Sequence, residues 1–191
     1  MLIKHATVGD TLSQAEFEGG TLHVDESDNP IDLSDIPLPH GSFSNSTTLT
    51  ISGLTTAAYP ITFDTDEVKY LMTHSTGVNP SRIYVDVEGC YLITFSAVCK
   101  SSAPNKKLDI WFAVDGVNVP RSNTISNFVG SGNERIVTVT FLYEFLANQY
   151  FELYYASNDA GTTIVATAAQ TNPTRPACPS IILTVNKISN K

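Results

Sequence analysis

A strand-like alternation is clearest in the stretch Gly89-Cys90-Tyr91-Leu92-Ile93-Thr94-Phe95-Ser96-Ala97-Val98. Successive side chains of a β-strand point to opposite faces of its sheet, so this stretch divides into two sets. One face carries Tyr91, Ile93, Phe95 and Ala97, and the other carries Leu92, Thr94, Ser96 and Val98. A two-layer sandwich buries only one face of each strand. The second face, which contains Leu92, therefore predicts a further neighbour.

Residues 150–155 repeat this pattern with aromatic side chains. One face carries Phe151, Leu153 and Tyr155, and the other carries Tyr150, Glu152 and Tyr154. The cores of protein interfaces are enriched in aromatic residues and depleted in charge. Scattered surface aromatics are also common in monomers. Because these aromatics lie on strands of a chain with little charge, the pattern favours an oligomer.

The chain from residue 46 to residue 191 is predicted to be one all-β domain. Short runs rich in β-branched and aromatic residues are separated by Gly, Pro, Asn and Asp, as in a two-sheet antiparallel sandwich. The predicted strands cover residues 47–51, 58–63, 68–73, 82–87, 91–100, 108–114, 135–142, 150–156, 163–169 and 180–185. Asp115-Gly116 predicts a two-residue hairpin turn, because both turn positions require positive φ.

Residues 1–45 differ from the rest and are predicted to form an N-terminal arm and linker. Thr11 and Gln14 fit a capping box that opens a short helix, which Gly19-Gly20 ends. So short a helix is not stable alone in water. Pro37 and Pro39 enforce extended backbone before a Ser/Asn-rich stretch. Two interpretations stay open: a solvated tail, or an arm that orders on a partner.

Composition excludes several classes of function. The chain has 191 residues, and 11 Lys and Arg against 19 Asp and Glu give a formal net charge of −8. This charge repels phosphate backbones, so nucleic acid is not an expected partner. A hydrophobic content of 42% excludes a disordered chain. The sequence contains no run of about 18 apolar residues, so membrane insertion is not expected. The opening residues become polar too early for a signal peptide, which predicts synthesis in a cytoplasm without export by that route.

No catalytic, metal or cofactor site is predicted. The four histidines, at positions 5, 23, 40 and 74, lack metal-ligand spacing, and three of them fall in the arm. The acidic stretch from Asp25 does not fit a calcium loop, because Pro30 and Ile36 occupy its sixth and twelfth places. Cys90, Cys99 and Cys178 are expected to be buried free thiols. Asp109 and Asp115 could form a glycosidase pair, but solvated surface carboxylates are the favoured interpretation.

The 89–98 stretch resembles the G-x-Y-x-hydrophobic strand of the tumour necrosis factor superfamily and of the related globular heads of complement-type proteins. The hairpin at Asp115-Gly116, a long strand over 135–145, a short connection and the strands over 150–155 and 180–185 follow in the family's order. The resemblance covers residues 57–189. It implies a jelly roll that assembles as a homotrimer, with the strand over 89–100 in the sheet that faces the three-fold axis. It also implies that the neighbours are contacted by Leu92, Thr94, Tyr150 and Tyr154.

The segment Gly9-Asp10-Thr11-Leu12-Ser13-Gln14-Ala15-Glu16-Phe17 resembles the opening G-D-x-[LI]-[ST]-x-x-E-F pattern of phage virion appendage proteins. Together the two resemblances suggest a trimeric capsid decoration (cement) protein on the virion surface. Its arms would bind the major capsid protein or another virion protein through Leu2, Ile3, Val8, Leu12 and Phe17. Three arms on one trimer convert weak contacts into durable attachment.

A second hypothesis is the receptor-binding head of a tail or head fibre. Its exposed loops, such as residues 123–133 or 158–163, would recognise a host surface glycan or protein. A third, a polysaccharide depolymerase, has no support in the sequence. The protein is therefore not expected to be an enzyme.

Overall fold

The computed structural model describes residues 38–51 and 57–190, and the regular structure in these residues consists of β-strands. The strands are β1 (His40–Asn45), β2 (Leu49–Thr50), β3 (Tyr59–Pro60), β4 (Thr65–Tyr70), β5 (Met72–His74), β6 (Ile83–Val85), β7 (Gly89–Ser101), β8 (Lys106–Val114), β9 (Val117–Asn118), β10 (Thr124–Phe128), β11 (Glu134–Phe145), β12 (Tyr150–Ser157), β13 (Thr162–Ile164), β14 (Gln170–Thr171), β15 (Thr174–Arg175) and β16 (Ile181–Ser189). No helix that could cross a bilayer occurs in these two segments. The predicted arm helix and the contacts of Leu2, Ile3, Val8, Leu12 and Phe17 lie outside the described residues.

The strands form two antiparallel sheets that pack face to face. Sheet 1 runs in the order β4, β1, β16, β7, β11, and β13 and β2 extend it beside the far end of β7. Sheet 2 runs in the order β10, β8, β12, β6, β5, with β9 added beside β8 and β3 beside β12. A small hairpin of β14 and β15 stands apart. The prediction of an all-β, two-sheet jelly-roll sandwich is confirmed.

Strand β7 is the central strand of sheet 1 and shows the predicted alternation along its length. Its odd-numbered side chains from Tyr91 to Cys99 are fully buried, and its even-numbered side chains are half-buried on the outward face. The buried set packs against inward residues of sheet 2, among them Phe112 and Phe151. The aromatic rings of this core contact one another closely, as between Phe112 and Phe151, whose centroids lie 5.5 Å apart.

The G-x-Y motif has a physical explanation at the start of β7. Gly89 has φ +150°, and an added Cβ would lie 2.5 Å from the carbonyl oxygen of Ser189 and 2.4 Å from Cε of Lys187. Strand β16 has a bulge at this point, between Lys187 and Ser189. Tyr91 is fully buried, and its hydroxyl donates a hydrogen bond to the carbonyl oxygen of Val87 at 2.6 Å. The glycine therefore admits the neighbouring backbone, and the tyrosine fixes the chain that enters the strand.

The Asp115-Gly116 hairpin is confirmed. Both residues have positive φ, 50° and 77°, and the flanking strands β8 and β9 pair through Val114 and Val117. The Asp115 carboxylate accepts hydrogen bonds from the Gln149 side chain and from the backbone amide of Tyr150. It thereby joins the turn to the start of β12.

The sheet begins earlier than the predicted boundary between residues 45 and 46. Strand β1 pairs with both β16 and β4, so the whole strand lies ahead of that boundary. Its Ser/Asn-rich sequence is typical of a linker, yet Phe43 is fully buried in the core. His40, assigned to the arm, is accordingly a strand residue. The predicted strand over 68–73 is likewise divided between β4 and β5, because Leu71 has a positive φ of 51°.

The three cysteines are free thiols, but they are not all buried. Cys99 is buried, Cys90 is half-buried and Cys178 is exposed beyond the small hairpin. Burial raises the pKa of Cys99 to about 12, so this thiol stays protonated at neutral pH. The expectation of full burial was wrong for Cys90 and Cys178, because one faces outward from β7 and the other follows an exposed turn.

His74 links β5 of sheet 2 to β4 of sheet 1. Its side chain is completely buried, with Nδ1 2.5 Å from Oδ1 of Asp66 and Nε2 3.1 Å from the carbonyl oxygen of Pro80. Lys69 binds the second oxygen of Asp66 at 2.5 Å. Burial alone would raise the pKa of Asp66, but the hydrogen bonds from Lys69 and His74 outweigh it and hold this pKa below its usual value.

Substituting Gly89→Ala should lower the free energy of unfolding by at least about 2 kcal/mol, because the methyl group meets backbone at a strained φ. Urea denaturation at fixed protein concentration measures the loss. Gly77→Ala is the matched control, since an added Cβ there meets no atom within 4 Å. Equal midpoints for the two variants would contradict this account of the motif.

Substituting Asp66→Asn should destabilise the protein at pH 7 by about 1.5–3 kcal/mol, the usual value for charge-assisted hydrogen bonds. A carboxylate whose pKa is lowered by folding stabilises the folded state above its unfolded pKa, near 3.8, and loses this effect as the pH falls. The difference between wild type and variant should therefore shrink below pH 4. Thermal denaturation across a pH series tests this, and a difference that grows in acid would refute it.

Candidate functional site

The outward face of sheet 1 is broad and lacks charged side chains at its centre. We define it as the uncharged face, formed by residues that the strand register aligns in rows: Ile136, Thr138, Thr140 and Leu142 of β11; Leu92, Thr94, Ser96 and Val98 of β7; Ile182, Thr184 and Asn186 of β16; and His40, Ser42 and Ser44 of β1. Charged groups occur at its margins, as at the pair formed by Lys100 and Glu134, 2.8 Å apart, and at Glu67, whose carboxylate accepts a hydrogen bond from Ser44 at 2.9 Å. Such a surface requires little desolvation of ions when it is covered.

Hydroxyl groups on the uncharged face bind one another across the strands. The hydroxyl oxygens of Thr94 and Thr140 lie 2.9 Å apart, and Thr138 donates to Ser96 at 3.2 Å. A polar group that is already paired loses less when water is removed than one that is not. The face can therefore be buried against another surface at a small cost.

Aliphatic side chains on the same face are left open to solvent. Ile136 is 73% exposed, Leu142 62% and Ile182 43%. Beside them, β11 pairs only with β7 among the described strands, so its outer edge is unpaired over twelve residues. Long open edges are usually covered in folded proteins. Uncovered aliphatic groups and an open edge therefore meet on one side of sheet 1.

The outward face of sheet 2 has a different character, because it carries aromatic rings together with charged groups. Trp111 of β8 and Tyr154 of β12 are cross-strand partners whose rings stack at 5.9 Å and 18°. The Tyr154 hydroxyl donates to the buried carboxylate of Glu152 at 3.0 Å, and Ser81 donates to the same carboxylate at 2.6 Å. Two effects raise the pKa of Tyr154: burial of its hydroxyl, which is the larger, and the hydrogen bond to Glu152.

Arg82 covers the neighbouring tyrosine on this face. Its guanidinium carbon lies 4.5 Å from the ring centre of Tyr150, in cation–π geometry. The Tyr150 ring also contacts that of Tyr84, 5.4 Å away. Tyr150 and Tyr154 are thus already engaged by groups of their own chain.

A cleft of about 350 Å³ lies beside Trp111 on the outward face of sheet 2. We call it the Trp111 cleft. It is lined by Asp109, Trp111, Asn118, Arg121, Asn123 and Ala156, together with Val119 and Ser122. The indole Nε1 donates to Oδ1 of Asn118 at 2.8 Å, and Nδ2 of Asn123 donates to Asp109 at 2.8 Å.

The four residues predicted at a trimer contact do not share one surface. Leu92 and Thr94 lie on the uncharged face of sheet 1, whereas Tyr150 and Tyr154 lie on the outward face of sheet 2. The two outward faces point in opposite directions, so no single flat contact can use all four residues. The sequence shows which residues share a face of one strand, but it does not show which sheet contains each strand.

Most of these functional candidates were not predicted from the sequence. The rest of the uncharged face comes from four strands that only the register brings together. Trp111 and Asn118 were not predicted either. One signal was available: Trp111 is the only tryptophan, and it lies two residues after Asp109 in a predicted strand, hence on the same face.

The acid pair that the sequence left open is excluded by geometry. Asp109 and Asp115 are six residues apart along β8 and its turn, which corresponds to roughly 20 Å. Glycosidase carboxylates stand about 5 to 9.5 Å apart. Among residues 38–51 and 57–190, no cluster of three His, Cys, Asp or Glu side chains could hold a metal ion.

The sandwich is a jelly roll of the tumour necrosis factor and complement-head type, as the G-x-Y resemblance implied. The globular domain of zebrafish complement 1qA protein matches with a TM-score of 0.50 at 13% identity, covering 81% of this chain and 99% of that one. The crystal structure of murine APRIL at pH 5.0 matches with a TM-score of 0.50 at 6% identity, covering 79% and 99%. At these identities the likeness concerns the fold. No protein-family model and no curated protein sequence matches the chain.

Proposed function

We propose that this protein is a homotrimeric structural protein of the virion surface, whose heads assemble through the uncharged face of sheet 1. The observation that carries the proposal is the combination of this face with the open edge of β11. Burial of each of the side chains of Ile136, Leu142 and Ile182 would contribute up to about 1.5–3 kcal/mol to the free energy of association.

Two different surfaces favour a ring over a two-fold dimer. The uncharged face presents aliphatic and hydroxyl side chains, whereas the edge of β11 exposes half-buried aromatic side chains of the inward row, Phe141 and Tyr143. A contact between the edge of one copy and the face of the next is head-to-tail, and such contacts form a ring when the rotation from copy to copy closes. The family resemblance also implies that this sheet faces a three-fold axis.

The virion role rests on the residues ahead of the sandwich. The segment over residues 9–17 resembles the openings of phage appendage proteins, and the jelly-roll head follows it. In this proposal, arms that include Leu2, Ile3, Val8, Leu12 and Phe17 attach the trimer to the major capsid protein or another shell protein. The protein decorates the capsid and performs no catalysis. It binds no nucleic acid and inserts into no membrane.

A second candidate function, a receptor-binding head of a fibre, is favoured by one observation. The Trp111 cleft presents an aromatic ring beside amide and carboxylate groups, and it lies on the outward face of sheet 2, on the side of the sandwich opposite the uncharged face. Of the loops proposed for recognition, residues 123–133 touch this cleft only through Asn123, and residues 158–163 are not among its lining residues.

The trimer is tested by mass in solution. Three copies of the 20.7 kDa chain give about 62 kDa, measured by light scattering during size-exclusion chromatography. Ile182→Glu should convert the trimer to monomer, because burying an unpaired carboxylate costs several kcal/mol. A wild-type protein that is monomeric at micromolar concentration would overturn the proposal.

Ile125→Glu is the matched control for this experiment. Ile125 is 54% exposed on a strand of sheet 2, close to the 43% of Ile182 on sheet 1, and the substitution is the same. The control variant should remain trimeric. Dissociation of both variants would show that the assembly does not depend on the uncharged face.

The virion role is tested by removing residues 1–37, which leaves β1 complete. The truncated protein should keep its trimeric mass but no longer co-sediment with particles that lack the native protein. The full chain, added to the same particles, should bind them. Binding of the truncated trimer would refute attachment by the arm, and failure of the full chain to bind would refute the virion role.

A further inference from the structure

We propose that the Trp111 cleft binds a pyranose ring of an uncharged carbohydrate chain. The inference deepens the second candidate function by naming the ligand class and its site. It does not depend on the trimer, since the cleft and the uncharged face lie on opposite sides of the sandwich.

The indole of Trp111 is held in a fixed orientation from two sides. Tyr154, which is not among the lining residues, backs the indole in a stacked pair and is itself anchored by its hydroxyl to Glu152. On the other side, the indole Nε1 donates to Asn118. A ring fixed in this way loses little conformational entropy when a ligand covers it. Trp111 therefore presents a pre-organised aromatic wall to the cleft.

Polar groups around this wall offer both donors and acceptors with defined directions. Because Asn118 accepts the indole hydrogen at Oδ1, its Nδ2 group remains a donor without a partner among the described residues. Because Asn123 donates to Oδ1 of Asp109, its own Oδ1 and the second oxygen of Asp109 remain acceptors. The Arg121 guanidinium adds further donors at the rim.

This combination selects a carbohydrate over other ligand classes. A pyranose has faces of C–H groups, which pack on the electron-rich face of an indole, and a rim of hydroxyls that each donate and accept. An anion such as phosphate would meet the Asp109 carboxylate, and a cation would meet Arg121. An apolar ligand would leave the amides of Asn118 and Asn123 unpaired, which is costly.

The cleft has room for the ring because a small residue lies opposite Asp109. Ala156 of β12 is the cross-strand partner of Asp109, and its small side chain lines the cleft. A larger side chain at this position would fill the space. The cleft is open to solvent, and its volume of about 350 Å³ lies at the lower end of the range of ligand pockets, about 300–1,000 Å³.

The test uses the fluorescence of Trp111, the only tryptophan of the 191-residue chain. The probes are maltose, lactose, cellobiose and N,N′-diacetylchitobiose, with inorganic phosphate as the anionic comparison. At least one disaccharide should produce a saturable shift of emission with a dissociation constant in the millimolar range. Comparing maltose, lactose and cellobiose with N,N′-diacetylchitobiose shows whether the cleft binds unsubstituted or N-acetylated pyranose rings. No saturable shift with any sugar, or a shift with phosphate alone, would overturn the proposal.

Two variants that retain Trp111 complete the test. Asp109→Ala removes an acceptor and should weaken binding about tenfold, whereas Ala156→Leu fills the cleft and should abolish it. Asp86→Ala, which changes the net charge equally at a carboxylate outside the cleft, is the control and should bind as wild type does. Unchanged binding in both cleft variants would refute the site. The mass of each variant is measured alongside, so a loss of the trimer is distinguished from a loss of sugar binding.

Discussion

The hydrogen bonding of β7 on both of its long edges is the constraint on which the molecule depends. One edge pairs with β11 from Glu134 to Phe145, and the other pairs with β16 and then β13. A strand fixed on both edges cannot rotate about its axis, so its alternate residues are committed to opposite faces. The buried row from Tyr91 to Cys99 follows from that commitment, and so does the outward row of Leu92, Thr94 and Ser96.

Pattern alone predicted much of the fold. Strands β7, β8, β11 and β12 and the Asp115-Gly116 turn could be located, because their alternation and turn chemistry are local properties. Strand β1 could not, because Gly41-Ser42-Phe43-Ser44 becomes a strand only through its long-range pairing with β16 and β4. The site was less accessible for the same reason. The outward residues of β7 and β12 were correctly sorted within each strand, but assigning Tyr150 and Tyr154 to the other sheet required the topology.

The two outward faces differ in the way their polar groups are satisfied. On sheet 1, hydroxyls such as those of Thr94 and Thr140 bind each other and leave a surface that can be buried cheaply. On sheet 2, Asn118 and Asn123 each use one half of the amide to fix a neighbour and keep the other half available. The first arrangement suits permanent contact between copies of the chain, and the second suits reversible recognition of a polar ligand. One sandwich can therefore carry an assembly surface and a binding surface without competition.

The pairing of β1 with β16 has a consequence for biosynthesis. Register partners such as His40 and Asn186 are separated by most of the chain, so sheet 1 cannot close while the ribosome is still translating the intervening residues. Folds dominated by contacts between distant parts of the sequence form slowly and pass through aggregation-prone intermediates with exposed hydrophobic surface. Until β16 has been synthesised, the edge of β7 from Cys90 to Ala97 therefore has no partner strand. High-level expression should depend on chaperones or on lower growth temperature during that interval.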